Sequence, residues 1–257
     1  MAIDKKACLV FVHGMWSNPN TWSPFSDWFE EKGWEISVPT LPYHNGLTDD
    51  LNFIGTQSLL DYIQFLEAEL TKIDKPYILI GHSMGGFLVQ ALAARCDPAA
   101  TICISPAAPA GVFGIRPTVL RVFSRNMITQ LFWKKPIILN WGEARHGLFN
   151  NMPETKARKE FDKLIPESGR ALFELGFWQI DFKNATTVDA RRIKCPMLIT
   201  GSKKDQITPY SIVKSTAKRY PTAELRTYEN NAHFIFLEEG WQTFAQDLED
   251  WMIKIEA

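Results

Sequence analysis

The chain has 257 residues, 46% of them hydrophobic and 22% charged, with a formal net charge of −1. That length suits one large domain, or one domain with an insertion, and is enough to bury a sizeable core. The near-neutral balance argues against nucleic acid as a partner, no stretch approaches the roughly 18 apolar residues of a membrane span, and residues 1–6 hold no signal-peptide apolar core.

Ala7–Val12 is a continuous apolar run, the pattern of a strand buried on both faces of a parallel sheet. His13-Gly14-Met15-Trp16 follows at its end. A helix is predicted over Trp22–Lys32, with Trp22, Phe25, Trp28 and Phe29 on one face. Glu35–Val38 reads as a short strand stopped by Pro39, and Thr40–Asp50 as a loop carrying Pro42, His44 and Gly46. Ser58 opens the next helix in a capping pattern with Asp61, and Leu59, Tyr62, Ile63, Leu66 and Leu70 make its buried stripe. Tyr77–Ile80 is a strand, Gly81-His82-Ser83-Met84-Gly85 a glycine turn, and Gly86–Arg95 a helix. Thr101–Ile104 is a fourth strand, closed by Ser105-Pro106.

From about Ala107 to Ala190 the strand–helix alternation lapses into helices and loops. Pro117 suits the first turn of one helix, followed by Leu120, Phe123, Met127 and Leu131 at helical spacing. Alternation resumes with a strand at Pro196–Thr200, a helix at Pro209–Tyr220, a strand at Glu224–Tyr228 and a final helix at Leu237–Ile255. This order predicts an α/β fold: a mostly parallel sheet of about six strands flanked by helices over 1–106 and 191–257, with a helical cap inserted at 107–190.

In such sheets the site lies at the carboxyl ends of the strands, where His13, Ser83, Asp205 and His233 all fall. Strand, G-x-S-x-G turn and helix make the context of a nucleophile elbow. A serine hydroxyl needs a base, and the base an orienting acid. His233, after the last strand, and Asp205, after the strand before it, supply them in the order Ser, Asp, His; Asp181 and Asp189 are alternative acids. The backbone N–H groups of Met84 and Met15 are the expected oxyanion donors, with Trp16 as second choice for the latter. His13 is expected to bond within its own loop, and His82 to pack or hydrogen-bond beneath the elbow. His44 is a candidate substrate contact, weighed against a loop hydrogen bond. Trp16, Trp133 and Trp178 are candidates for an apolar pocket wall. The helix from Pro117 to Leu131, with Arg121 and Arg125, reads as a cap helix, or else as a lid on a lipid surface.

Val12-His13-Gly14, Gly81-His82-Ser83-Met84-Gly85-Gly86, Gly201…Asp205…Pro209 and Ala232-His233-Phe234 together resemble the α/β-hydrolase superfamily over most of the chain. The resemblance implies Ser83 as nucleophile, His233 as general base and acid, Asp205 as orienter, Met15 and Met84 as oxyanion donors, and no cofactor. It implies a small-molecule ester substrate with an apolar acyl or alcohol part, cleaved through an acyl-enzyme. Lipid or lysophospholipid, thioester and C–C hydrolysis, perhydrolase activity and plain ligand binding are the alternatives on the same fold. Two departures stand out. The His-Gly strand starts at about residue 7, so a shortened sheet without the antiparallel hairpin that opens many members is expected, and the elbow serine argues against the members that use a carboxylate nucleophile. The five histidines are scattered, so no zinc site is expected, and no phosphate loop occurs. Cys8, Cys96, Cys103 and Cys195 form no C-x-x-C pair and read as reduced thiols of a cytoplasmic protein.

Overall fold

Continuous apolar strands need cover on both faces, and the arrangement of the elements supplies it. The computed structural model describes residues 7–46, 51–114, 116–127 and 129–255. The readings made above on residues 1–6 and 47–50 and on the Met127 side chain lie outside the described residues. The first half of the chain forms β1 (Cys8–Val12), α1 (Phe25–Glu31), β2 (Glu35–Ser37), α2 (Leu51–Ile54), α3 (Leu59–Leu70), β3 (Tyr77–His82), α4 (Met84–Ala93) and β4 (Ala100–Ile104). Then come α5 (Pro117–Met127), β5 (Pro136–Ile137), α6 (Trp141–Gly147), α7 (Glu154–Phe161), β6 (Glu167–Ser168) and α8 (Gly169–Gly176). The chain closes with β7 (Met197–Ser202), α9 (Tyr210–Ala217), β8 (Ala223–Tyr228) and α10 (Trp241–Lys254).

Six strands form one sheet in the order β2-β1-β3-β4-β7-β8, every pair parallel. Side chains alternate across it. Phe11 meets the rings of Phe25 and Phe29 of α1, and Phe25 stacks on Phe244 of α10 at 5.7 Å. Val10 and Val12 point the other way, toward Leu66 and Leu70 of α3 and Leu92 of α4. The chain leaves β1 toward β2 on one side and β3 toward β4 on the other. The carboxyl ends of β1 and β3 therefore flank a crevice at the point where strand order reverses.

The differences from the sequence expectation have local causes. The helix expected from Trp22 splits into a 3-10 turn at Pro19–Trp22 and α1, because Pro24 holds Ser23 extended at ψ 138°. The helix expected from Leu237 starts at Trp241, since Gly240 adopts φ 77° and breaks the run. Between β4 and β7 the chain also forms a two-stranded antiparallel ribbon, Pro136 facing Ser168 and Ile137 facing Glu167, where only helices and loops were expected. Among the described residues, no helix is long and apolar enough to cross a membrane.

Candidate active site

The turn after β3 is built from close approaches. A Cβ on Gly81 would lie 2.2 Å from the Gly85 carbonyl oxygen, and one on Gly85 would lie 2.1 Å from that of Val12. Only glycines let α4 start so close to the sheet. Ser83 sits between them at φ 55°, ψ −117°, a conformation that costs about 1–3 kcal/mol and persists only when its surroundings over-determine it. They do. The Ser83 N–H donates to the Ile104 carbonyl at 3.0 Å, and its own carbonyl accepts from Phe87 N at 3.1 Å and Ala107 N at 2.8 Å. The Ser83 side chain makes no capping bond to α4 and faces a cleft.

Asp205 and His233 meet at the same edge, on the loops after β7 and β8. Both are buried. His233 Nδ1 donates to Asp205 Oδ2 at 2.8 Å. The other carboxylate oxygen, Oδ1, accepts from Ile207 N at 2.9 Å and Thr208 N at 2.8 Å, while the Thr208 hydroxyl lies 2.8 Å from Oδ2. Burial pushes the Asp205 carboxyl up, but the His233 ring and these hydrogen bonds outweigh it and hold the pKa below the usual carboxylate value. His82 lies beneath, its ring 4.5 Å from that of His233, and Nε2 donates to the His233 carbonyl at 3.0 Å. Burial first, then the nearby His233, lowers its pKa well below the ordinary value, so His82 is a neutral strut.

The two alternative acids sit elsewhere. Asp181 accepts from Arg170 at 3.0 Å and from Ala185 N at 2.8 Å within its own turn. Asp189 caps a short 3-10 helix and pairs with Arg191.

The cleft holds about 740 Å³ counted out to its mouth. Met15, Trp16, Met84 and Ala107 line it from the sheet side, Val119, Leu120 and Phe123 from α5, Leu172, Leu175 and Gly176 from α8, and Ile207, Thr208 and Ile212 from beyond β7. Ser83 and Thr208 are the polar side chains on a wall that is otherwise apolar. Trp16 stacks on Phe123, ring centroids 5.7 Å apart. The other three expected substrate contacts fall outside this wall. Trp133 packs against Phe173 at 5.7 Å, Trp178 meets Phe113 edge-on at 6.4 Å, and the buried His44 bonds to Glu167 and the Pro42 carbonyl. The α5 and α8 aliphatics were missed as wall residues, although Val119, Leu120 and Phe123 carry a readable signal in their helical spacing. Ile207 and Thr208 carried one only through proximity to Asp205. Arg125 is engaged in a two-pronged pair with Glu143, at 2.7 and 2.9 Å.

A model of the alpha/beta hydrolase family matches residues 9–247. Monoacylglycerol lipase ABHD6 of the mouse, Mus musculus, is 24% identical over 253 residues, covering 93% of this chain and 73% of the mouse protein. The crystal structure of a Paleococcus ferrophilus monoacylglycerol lipase superposes with a TM-score of 0.73 at 17% identity, over 98% of this chain and 96% of that one. A soluble variant of monoglyceride lipase from Saccharomyces cerevisiae gives a TM-score of 0.77 at 15% identity, over 98% and 87% of the two chains. At such identities the structural likeness speaks for the fold, not for the substrate.

Proposed function

The chain belongs to the alpha/beta hydrolase family, and we propose that within it the protein is a serine-dependent carboxylic ester hydrolase acting on small esters with an apolar acyl chain, monoacylglycerols among them. One observation carries the reading: a buried carboxylate bonded at 2.8 Å to His233 Nδ1, on the strand edge where a strained serine opens onto an apolar cleft. In this mechanism Asp205 keeps the proton of His233 on Nδ1, which leaves Nε2 free to take the Ser83 hydroxyl proton. Ser83 Oγ attacks the ester carbonyl. The N–H groups of Met15 and Met84 hold the oxyanion, each worth about 2.7–4 kcal/mol by the usual measure of one such donor. The protonated His233 gives its proton to the departing alcohol. Water, deprotonated by the same nitrogen, then releases the acid from Ser83, and no cofactor takes part.

The apolar wall supports an alkyl chain lying along α5 and α8, with the ester at the Ser83 end. Residues 107–190 act in this reading as a cap over the core of 1–106 and 191–257. A reducing compartment, such as the cytoplasm, belongs to it as well: the four thiols are free, and burial pushes that of Cys103 far up.

The test is hydrolysis of p-nitrophenyl esters from acetate to palmitate, and of 1-monoacylglycerols, by wild type and Ser83→Ala. Turnover that peaks on medium or long chains and vanishes in the variant is the expected result. Undiminished turnover in Ser83→Ala, or none on any ester by a folded wild type, overturns the reading.

A further inference from the structure

The loop that follows β1 is gripped by a buried polar chain that the mechanism above does not use. His13 is neutral and its tautomer is set by its partners. The Leu41 N–H donates to His13 Nε2 at 3.4 Å, so the ring proton is on Nδ1, which donates to the Gly14 carbonyl at 3.0 Å. Burial, and then the charge on His44, pushes the His13 pKa down to about 3. The His44 ring lies 5.0 Å away. Both its nitrogens face acceptors: Nδ1 meets the Pro42 carbonyl at 2.8 Å and Nε2 meets Glu167 Oε2 at 3.0 Å. Against an ionised Glu167 both nitrogens are donors, which makes His44 an imidazolium. Burial opposes that charge, but the Glu167 carboxylate outweighs it and raises the pKa. The second Glu167 oxygen accepts from the Tyr62 hydroxyl at 3.0 Å and from Ser168 N at 2.6 Å.

The same ribbon holds the loop from its other side. Ile137, which faces Glu167 across β5–β6, accepts from Trp16 Nε1 at 3.1 Å. Ile165, just before β6, donates its N–H to the Trp16 carbonyl at 3.0 Å. Trp16 sits at φ 59°, a conformation that non-glycine residues adopt only under constraint. The three residues Gly14-Met15-Trp16 are thus clamped before and after Met15.

This matters because a trans peptide carries its C=O and N–H on opposite sides. The Gly14 carbonyl and the Met15 N–H belong to one peptide unit. When the carbonyl is held against the His13 ring, the N–H is turned to the far side. We propose that His13 is a positioning residue, which aims the Met15 N–H at the oxyanion by fixing the Gly14 carbonyl, and that Glu167 anchors His13 through His44. The proposal rests on the serine hydrolase reading, because the Met15 N–H matters only if a tetrahedral oxyanion forms at Ser83.

The expected signature is a loss in kcat with KM held, because an oxyanion donor acts in the transition state and not in the ground state. With an ester that wild type hydrolyses, His13→Ala should lower kcat about 10²- to 10³-fold, the usual cost of one lost oxyanion donor. An alkyl trifluoromethyl ketone, which forms a charged hemiketal on the serine, should lose affinity by the same factor, while the matching alkyl amide binds as before. His13→Asn keeps a donor at the δ position and should restore most of kcat. Glu167→Gln should lower kcat alone but add little to His13→Ala, because it acts through the same ring. Wild-type kcat in His13→Ala overturns the proposal. So does a loss confined to KM, an equal loss in ketone and amide binding, or additive effects of His13→Ala and Glu167→Gln. If His13→Ala does not fold, Glu167→Gln carries the same comparison of ketone against amide, with His13→Asn as the control that keeps both. Failure of the underlying reading looks different, because Ser83→Ala would then keep its turnover.

Discussion

Replacing Asp205 by asparagine removes a buried negative charge and turns one acceptor oxygen into an NH2 donor of nearly the same size. Asparagine can keep its Oδ1 under the N–H groups of Ile207 and Thr208, which bind it at 2.9 and 2.8 Å. Its amide then takes the place of Oδ2, 2.8 Å from His233 Nδ1. Two N–H groups cannot face each other at that distance, so the histidine moves its proton to Nε2 and loses the lone pair that would accept from Ser83. Such a tautomer switch lowers kcat about 10⁴-fold, or roughly 5.5 kcal/mol at 1.36 kcal/mol per decade. Stability changes less. The Thr208 hydroxyl has the Ser105 carbonyl at 3.0 Å as an alternative acceptor, so no buried polar group is orphaned and about 1–2 kcal/mol is the expected loss. Steady-state kinetics on a p-nitrophenyl ester, alongside thermal unfolding, checks both figures. Asp181→Asn is the control, since that carboxylate serves Arg170 and Ala185 and should leave kcat alone. A kcat for Asp205→Asn within about tenfold of wild type, in a folded protein, would refute the assignment of Asp205 as orienter.

Three further outcomes follow from the geometry. Gly85→Ala places a methyl 2.1 Å from the Val12 oxygen and 2.5 Å from the His13 oxygen, both backbone atoms that cannot swing aside. Chemical denaturation should show a loss of about 1–3 kcal/mol or more, with reduced kcat; unchanged values would mean that the turn is looser than described. Gly176 lines the cleft, and a Cβ there meets nothing within 4 Å, so Gly176→Leu should fold and shorten the preferred acyl chain; an unaltered chain-length profile counts against the cleft as the acyl site. Stability should also peak near the ordinary histidine pKa of 6.5. His13 and His82 are depressed, so their contribution is whole above that pH and drains away as pH falls toward their folded values. For His13, falling from 6.5 to about 3, that is roughly 5 kcal/mol. His44 is raised, so its contribution is whole below 6.5 and is lost as pH climbs through its folded pKa. Urea titrations across that range test the sign: stability that is flat or rising on acidification from 6.5 contradicts the buried neutral histidines.

The parts that were legible in the sequence are those whose causes are local. The elbow follows from an apolar strand, a glycine turn and a helix within twenty residues. The central strands β1, β3, β4 and β7 announced themselves as apolar runs, whereas the half-exposed edge strands β2 and β8 were read from their place in the strand–helix alternation. Their ends were less readable: β3 runs two residues past Ile80 because Gly81 and His82 find pairing partners in Cys103 and Ile104. The β5–β6 ribbon was illegible, since two strands of two residues have no periodicity and exist only through each other. The polar chain behind Met15 was illegible for the same reason. Tyr62 and His44 reach Glu167 across 105 and 123 residues of sequence, and no spacing rule links them. Counting aromatics between β4 and β7 suggested that Trp133 and Trp178 face the substrate. A count carries no direction, and the cleft wall is lined instead by residues of α5 and α8.

Two of the buried carboxylates contributed by the segment between β4 and β7 bear on how the cleft can open. Glu167 satisfies His44 and Tyr62. Glu174 of α8 accepts from the Ser58 hydroxyl and Leu59 N at the start of α3, both at 2.8 Å, and from Arg170 at 2.7 Å. Both side chains are fully buried. Withdrawing either would leave an unpaired charge or orphaned donors in a dry site, a penalty of several kcal/mol per ion. The β6–α8 side is therefore pinned to the core by groups that cannot slip without breaking. The α5 side meets the cleft through Val119, Leu120 and Phe123, and apolar contacts can slide while keeping most of their area. Its polar ties run from Arg125 to Glu143 of α6 and, at 2.7 Å, to the Ile138 carbonyl just past β5, both within the same segment. Opening at α5 thus costs less than lifting the whole segment, but it must release the Trp16–Phe123 stack and the Arg125 bond to Ile138 beside the ribbon.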